Sequence, residues 1–359
     1  MVDIKQMTPD EITSEIIGMG LPRYRAEQII RRIYGRGAAD FGEISELPKK
    51  LRAELEKRFV LTAPILERKL VSELDGTIKF LWRLPDGNAI ESVLLRYDYG
   101  NSICISTQAG CKMGCAFCAS PPNGFSRNLT ASEMLDQILF AQRESGEQIS
   151  RVDLMGIGEP MDNIDEVLRF LELVNNPLFA PGGRAKGSPI GLNIGMRHIS
   201  ISTCGIIEGI DKLASYGLQC NLLISLHAPD DETRSSLMPI NRVTGVDKLL
   251  EACLRYSKIT GRRVSYEYAL IKGVNDSDAQ AETLAEKIKS VGGHVNIIRL
   301  NEAAGQFEPG DAHAFCGKLV AMGVNATVRR TLGADIAAAC GQLRLQKKNL
   351  TVKFLRYYE

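Results

Sequence analysis

Ser102-Ile103-Cys104-Ile105-Ser106-Thr107-Gln108-Ala109-Gly110-Cys111-Lys112-Met113-Gly114-Cys115-Ala116-Phe117-Cys118 is the stretch on which the fold turns. An apolar, β-prone run at 103–107 leads into three cysteines spaced CxxxCxxC, so a strand ends in a loop that returns three thiolates within eight residues. Thiolates select zinc, copper(I) or iron–sulfur clusters. A structural zinc wants a fourth ligand from a second CxxC or a nearby histidine pair, and the sequence offers neither. Three thiolates on a [4Fe–4S] core leave one iron without a protein ligand, open to a substrate or cofactor. The plain alternative is three unrelated core cysteines, since free cysteine is commonly buried, although rarely in this spacing.

Outward from this loop, β-rich runs alternate with helical patterns. Strands are expected at about 103–107, 151–155, 198–202, 220–226, 264–269 and 294–299, with helices at about 131–144, 163–175, 207–217, 246–258 and 277–291. Thr130 and Glu133 form a capping box that starts the first of those helices. Six strands with crossovers of this length give an α/β fold, a parallel sheet wrapped by helices, either an open doubly wound sheet or a partial barrel. Ligands then sit at the carboxyl ends of the strands.

Upstream, Thr8-Pro9-Asp10-Glu11 is a second capping box, opening a short helix to about Met19. A helix from Arg23 to Tyr34, with Ile29, Ile30 and Ile33 on one face, is expected to stop at Gly35, and another follows Pro48 with Leu51 and Leu55 inward. Residues 1–60 thus read as a small helical domain. At 61–100 the period falls to two, and Thr77 to Leu84 and Ala89 to Leu95 flank the turn Pro85-Asp86-Gly87-Asn88, a hairpin extension. The barrel or sheet domain takes 101–341, and 342–359 forms a basic tail. A glycine-rich insertion, Ala180 to Gly195, is either an active-site loop or a spacer.

The 359 residues are 24% charged and 44% apolar, which argues against disorder and coiled coil. No run is apolar enough to span a bilayer, and no secretion signal opens the chain, so the expected home is the cytoplasm with no membrane partner. Nine cysteines in such a chain point to reduced thiols, a metal centre or redox chemistry. With 44 basic against 43 acidic residues, nucleic-acid contact must come from local clusters. Arg23, Arg25, Arg31, Arg32 and Arg36 against Glu27 give +4 over fourteen residues, and Arg344, Lys347, Lys348, Lys353 and Arg356 make the tail basic. Phosphate contacts or solvated helix faces both account for them.

The CxxxCxxC loop with an aromatic before its last cysteine resembles the signature of radical S-adenosylmethionine (radical SAM) enzymes. That resemblance implies a partial (β/α)6 barrel whose open iron binds the amino and carboxylate groups of the cofactor, which the reduced cluster cleaves to a 5′-deoxyadenosyl radical. Gly158-Glu159-Pro160 is similar to the motif that meets the cofactor's amino end, although Gly156-x-Gly158 alone is only a tight turn. Ser202, the Ser225-Leu226-His227 run and Asn301 sit at further strand ends and are the remaining candidates for cofactor binding. Each alone is an ordinary cap or turn residue.

Asp335-Ile336-Ala337-Ala338-Ala339-Cys340-Gly341-Gln342-Leu343 and Gly124-Phe125-Ser126-Arg127-Asn128-Leu129-Thr130 narrow the resemblance to the RlmN/Cfr family of RNA adenine methyltransferases, over most of the chain. Ser225-Leu226-His227-Ala228-Pro229, Met238-Pro239-Ile240-Asn241 and Gly273-Val274-Asn275-Asp276 agree. It implies two S-adenosylmethionine molecules per turnover, one to methylate Cys340 and one to yield the radical that takes a hydrogen from that methyl group. It also implies Glu91 as proton acceptor and Cys104 as the resolving cysteine, in a transient disulfide with Cys340. Taken singly, Cys340 and Cys104 read equally well as buried residues, and Glu91 as a solvent-facing strand residue. Cys204, Cys220, Cys253 and Cys316 match no such role.

The implied substrate is adenosine 2503 of 23S rRNA, with adenosine 37 of tRNA left open as a second one. The electron donor would be flavodoxin or ferredoxin, and the enzyme a monomer. A base must leave its stack before its edge reaches a radical, so a loop or flipped nucleotide is expected. Pro160 favours methylation at C2, since the family's C8-methylating branch carries alanine there. Ala119-Ser120-Pro121-Pro122 departs from the usual Ala-Thr-Gly, and the 180–195 insertion lengthens a loop. A radical SAM enzyme without an RNA substrate leaves Cys340, Cys104 and the basic N-terminal domain unexplained, and an iron–sulfur electron carrier or structural zinc protein is set apart by iron and sulfide analysis with a SAM-induced change in the cluster's EPR spectrum.

Overall fold

The computed structural model describes residues 1–119, 124–175, 192, 194–300 and 307–338. Cys340, Asn301, the 342–359 tail and all but three residues of 180–195 lie outside them. The elements run β1 (Val2–Asp3), α1 (Pro9–Gly18), α2 (Arg23–Arg36), α3 (Lys49–Arg58), β2 (Phe59–Val60), β3 (Ile65–Val71), β4 (Ile78–Arg83), β5 (Ala89–Leu95), β6 (Asn101–Cys104), β7 (Gln108–Gly110) and β8 (Phe125–Asn128). There follow α4 (Ala131–Ser145), β9 (Ile149–Leu154), α5 (Ile164–Val174), β10 (Ile199–Thr203), α6 (Ile207–Ser215), β11 (Asn221–Ser225), α7 (Asp231–Leu237), α8 (Asn241–Thr244) and α9 (Val246–Thr260). The series closes with β12 (Ser265–Leu270), α10 (Asp278–Val291), β13 (His294–Arg299), α11 (Ala312–Ala321) and β14 (Ala326–Val328).

Both expected capping boxes are formed, at Thr8 with Glu11 and at Thr130 with Glu133. Helix α2 does not stop at Gly35: it continues to Arg36, and Gly37, in the left-handed region at φ 60°, ends it. Gly37 satisfies the last carbonyls in a conformation that costs glycine little, whereas Gly35 is tolerated inside the helix. The three helices bury Ile12, Ile16, Ile29, Ile33 and Leu55 against one another and the rest of the core. Lys5 joins them to α4 through a buried ion pair with Asp136 at 2.5 Å, where burial lifts the aspartate to about 7 against the pull of the lysine.

One ten-stranded sheet organises the remainder, in the order β14-β13-β12-β11-β10-β9-β6-β5-β4-β3. Strands β6 and β9 to β14 are mutually parallel, while β3, β4 and β5 add an antiparallel flank through β5–β6. The hairpin expected as an extension is therefore continuous with the barrel sheet. Strands β3 and β14 end the order and do not pair with each other, so the sheet curls without closing. The helix α11 and the seventh parallel strand β14 were not expected; three residues are too few to show a period of two.

Register places every second residue on one face. Ile103, Val152, Leu154, Ile201, Ile224, Tyr266 and Ile297 are buried beneath the helices. The opposite face runs Glu91, Val93, Cys104, Asp153, Ser202, Ser225, Glu267 and Asn296. A polar inner face cannot pack as a dry core, so it lines a lumen.

Candidate active site

The cysteine loop follows the carboxyl end of β6 and is closed by a tight pairing of β7 with β8. Gly110 of β7 opposes Phe125 of β8 at φ +80°, and a Cβ there would lie 1.9 Å from the Gly124 carbonyl oxygen, so only glycine fits. The Cys111 amide donates to that same oxygen at 3.0 Å, Ala116 donates to Leu237 O at 2.9 Å, and Cys118 donates to Cys115 O at 3.2 Å. Lys112 pairs with Asp162 at 2.9 Å and lies 5.1 Å over the Phe125 ring. Gln108 donates to Asp162 (2.7 Å) and Asn128 (2.9 Å), bracing the hairpin from below.

Burial raises the Cys111 thiol, with the Cys118 charge adding to it. Burial pushes Cys115 up to about 12, and Cys118 and then Cys111 add to that. Cys111 and Cys115, both raised by burial and by a neighbouring sulfur, belong to a donor set that a bound cationic centre would relieve, because metal coordination deprotonates thiols. Among the described residues no three His, Cys, Asp or Glu side chains stand close enough to share a single metal ion. A tetrahedral zinc would need sulfurs about 3.8 Å apart from its ~2.3 Å bonds, whereas a cubane spreads its thiolates over separate corner irons.

Around the loop stand the other strand ends. Gly158, at φ +110°, leaves no room for a Cβ, which would meet Gln108 Cβ at 2.6 Å. Glu159 is buried and its carboxyl is raised by burial; its Oε1 accepts from Met161 N (2.9 Å) and its Oε2 from Cys204 N (2.7 Å). The carboxylate that the resemblance sends to the cofactor is thus engaged by two backbone amides, capping the turn after it and strapping the end of β10. Ser202 Oγ lies 3.3 Å from Ser225 Oγ and donates to Glu267 Oε2 at 3.1 Å, and Glu267 pairs with Arg329 at 2.8 Å.

Leu226 and His227 donate their amides to Glu267 O (3.0 and 3.1 Å), which turns the chain so that His227 adopts φ 58°. The buried ring accepts the Ala269 amide at Nδ1 (2.9 Å) and meets Phe117 of the cysteine loop edge-on, with centroids 4.7 Å apart. Burial, then the charge of Arg234, lowers His227 to about 3, so the ring is neutral and its proton is on Nε2. The Ser225-Leu226-His227 run is therefore tied to the cysteine loop by a direct ring contact.

Glu91, expected on a solvent-facing strand, is buried and pairs with Lys79 at 3.2 Å. The reason is the register: its face continues into the lumen. Val93 and Cys104 oppose each other and pack with Leu95, Ile157, Leu332 and Ala338. A cavity of about 50 Å³ opens here between Cys104, Asp153, Met155, Arg329, Leu332 and Ala338. The chain from 332 to 338 is held to the hairpin flank by Lys79 donating to Ala337 O (3.0 Å), Gly333 N donating to Asp75 (2.8 Å) and Ser72 Oγ donating to Asp335 (2.7 Å). Cys340 lies two residues past this anchored segment, outside the described residues, as does Asn301. Lys79, Glu267, Arg234 and Arg329 were not singled out in the sequence, because each is significant only through a partner distant in the chain.

Residues 105–284 match the model of the Radical SAM superfamily, and residues 2–61 match that of the ribosomal RNA large subunit methyltransferase N-terminal domain. A protein of Desulforamulus reducens described as a probable dual-specificity RNA methyltransferase RlmN is 44% identical over 347 residues, 96% of this chain and 96% of its own. The chain belongs to the RlmN family of radical SAM methyltransferases. A Clostridium acetobutylicum protein of the same description is 46% identical over 329 residues, 90% of this chain and 92% of its own. The crystal structure of a radical SAM methyltransferase from Sphaerobacter thermophilus shares 41% identity and a TM-score of 0.87, covering 96% of this chain and 99% of that one. As an RlmN-family member the protein has the radical SAM fold, with the antiparallel flank and the helical N-terminal region added to it, and the superfamily implies a [4Fe–4S] cluster and S-adenosylmethionine.

Proposed function

We propose that this protein methylates C2 of adenosine in RNA, at adenosine 2503 of 23S rRNA and at adenosine 37 of tRNA. The observation that supports this best is the shared sheet face that carries Glu91 and Cys104, against which Leu332 and Ala338, on the approach to Cys340, pack. Cys111, Cys115 and Cys118 would hold the cluster, which supplies the electron that cleaves S-adenosylmethionine. Gly158, Glu159, Ser202, Ser225, Leu226, His227 and Asn301 would bind the cofactor, the Glu159 carboxylate holding the turn that follows it.

C2 of adenine is electron-poor, so polar methyl transfer fails there and a carbon radical must add instead. Cys340 would carry the methyl group for that addition; the methyl first gives one hydrogen atom to the 5′-deoxyadenosyl radical and then adds to C2 as a methylene radical. Glu91 would take the proton that leaves C2, with the adduct's unpaired electron passing to a one-electron acceptor such as the oxidised cluster. The Cys104 thiolate would then attack the Cys340 sulfur, the S–S bond forming as the bond from that sulfur to the methylene carbon breaks, and that carbon would take up a proton to become the methyl group of the departing base. The polar lumen admits an unstacked base, and Arg31 and Arg36, both exposed on α2, offer charge to phosphates. Flavodoxin or ferredoxin would serve as reductant, and the protein would act as a cytoplasmic monomer.

Nucleoside analysis of rRNA and tRNA from cells with and without the gene tests the reading. Loss of 2-methyladenosine from both RNAs is expected, and loss of 8-methyladenosine instead would overturn the assignment of C2. Mass spectrometry of the purified protein should find a methyl group on Cys340; a peptide that never carries it, with cluster and cofactor supplied, would refute the two-cysteine scheme.

A further inference from the structure

Arg234 of α7 is almost fully buried, 1% exposed, yet among the described residues it forms no ion pair. Its Nε donates to Leu226 O (2.9 Å), its Nη1 to Asn241 Oδ1 (2.8 Å), and its Nη2 to Cys204 O (2.7 Å) and Ser225 O (3.0 Å). All four acceptors are neutral. Hydrogen bonds of this kind satisfy the guanidinium's donors but do not neutralise its charge, and a buried charge is normally paired or bound to a metal site.

The cysteine loop rests on the same helix. Ala116, beside Cys115, donates its amide to Leu237 O one turn beyond Arg234, and a Cβ on Gly114 would touch Pro239 at 3.7 Å. Met113, Cys115 and Phe117 pack on Cys204, Leu237 and Met238. Burial lowers the proton affinity of Arg234, and the groups that push it back up are Cys204 and Cys115, ahead of Asp231.

We propose that Arg234 is the internal counter-charge of the iron–sulfur centre, a fixed cation under the Cys115 side of the loop that favours the reduced cluster and so raises its reduction potential. The inference rests on the cluster reading above. Reduction adds negative charge to a loop already carrying three thiolates, and a buried positive charge lowers the cost of that electron more than it stabilises the oxidised state. The arginine does not touch the reacting atoms; it acts as a positioning charge.

Potentiometric titration of the reconstituted holoprotein, followed by the EPR signal of the reduced cluster without S-adenosylmethionine, reads this directly. In Arg234→Gln the ratio of reduced to oxidised cluster at the wild-type midpoint should fall at least tenfold, a shift of about 59 mV for one electron. Arg234→Lys, which keeps the charge, should stay within that limit. Asn241→Asp leaves the arginine in place but sets a carboxylate against Nη1, and should shift the midpoint in the same direction as the glutamine variant, so it decides the matter if Arg234→Gln does not fold. An unchanged midpoint in fully loaded Arg234→Gln or Asn241→Asp would overturn the proposal, as would Lys behaving like Gln. A wild-type protein that takes up no iron would instead overturn the cluster reading itself, and this inference with it.

Discussion

Lys79 bridges Glu91 and the chain that leads to Cys340: its ammonium is 3.2 Å from the Glu91 carboxylate and donates to Ala337 O at 3.0 Å. Both side chains are buried, so the pair is not weakened as a surface pair would be. Removing one partner of a buried pair leaves the other desolvated, at a cost of about 3–5 kcal/mol. Lys79→Met should lose that much stability in urea denaturation, and adding Glu91→Gln to it should restore most of the loss. Equal stability of the wild type and the single variant would show that the pair is not formed in solution.

His227 gives a pH signature. Unfolded, the ring takes up a proton below about pH 6.5; folded, it resists until about pH 3. Between those values the unfolded state binds more protons, so stability is fully present above the window and declines as pH falls through it. His227→Asn, whose short side chain tolerates φ > 0, should flatten the curve by up to about 1.4 kcal/mol per pH unit relative to the wild type. Parallel wild-type and variant curves between pH 4 and 6, from denaturant midpoints, would contradict the buried neutral ring.

Gly110→Ala sets a Cβ 1.9 Å from a backbone oxygen at the neck of the cysteine loop. The loop must shift while the sheet beneath it persists. Iron and sulfide content after reconstitution should drop several-fold with far-ultraviolet circular dichroism unchanged; full loading would mean the neck is more pliable than its geometry implies.

On α2, Arg32 is paired with Glu46 and Arg23 with Glu27. Arg31 and Arg36 are the exposed members of the cluster for which no such pair is seen among the described residues. Arg31→Ala with Arg36→Ala should reduce the slope of log affinity for RNA against log salt by up to about 0.7–0.9 for each phosphate no longer neutralised. An unaltered slope would remove this helix face from the RNA interface.

How much of this was legible in the sequence follows from where the information lies. The cysteine loop could be read because its chemistry sits in eight consecutive residues, and the helices from Thr8 and Thr130 because their caps are local. Glu91 could not be placed: its strand alternates like a half-exposed one, and only pairing with β4 and β6 shows that the polar side faces a lumen. The Ser202–Glu267–Arg329 chain and the Arg234 clamp join residues scattered over four or more elements, and no spacing rule connects them.

A sheet that does not close leaves edge strands open to its own copies. The rim strand β3 answers this with Glu67-Arg68-Lys69 exposed in its centre and a register break between Leu66 and Arg68. Charges and a bulge on an outer strand discourage edge-to-edge pairing. The same incomplete closure therefore obliges the protein to carry its own guard against aggregation, on the flank farthest along the sheet from β14.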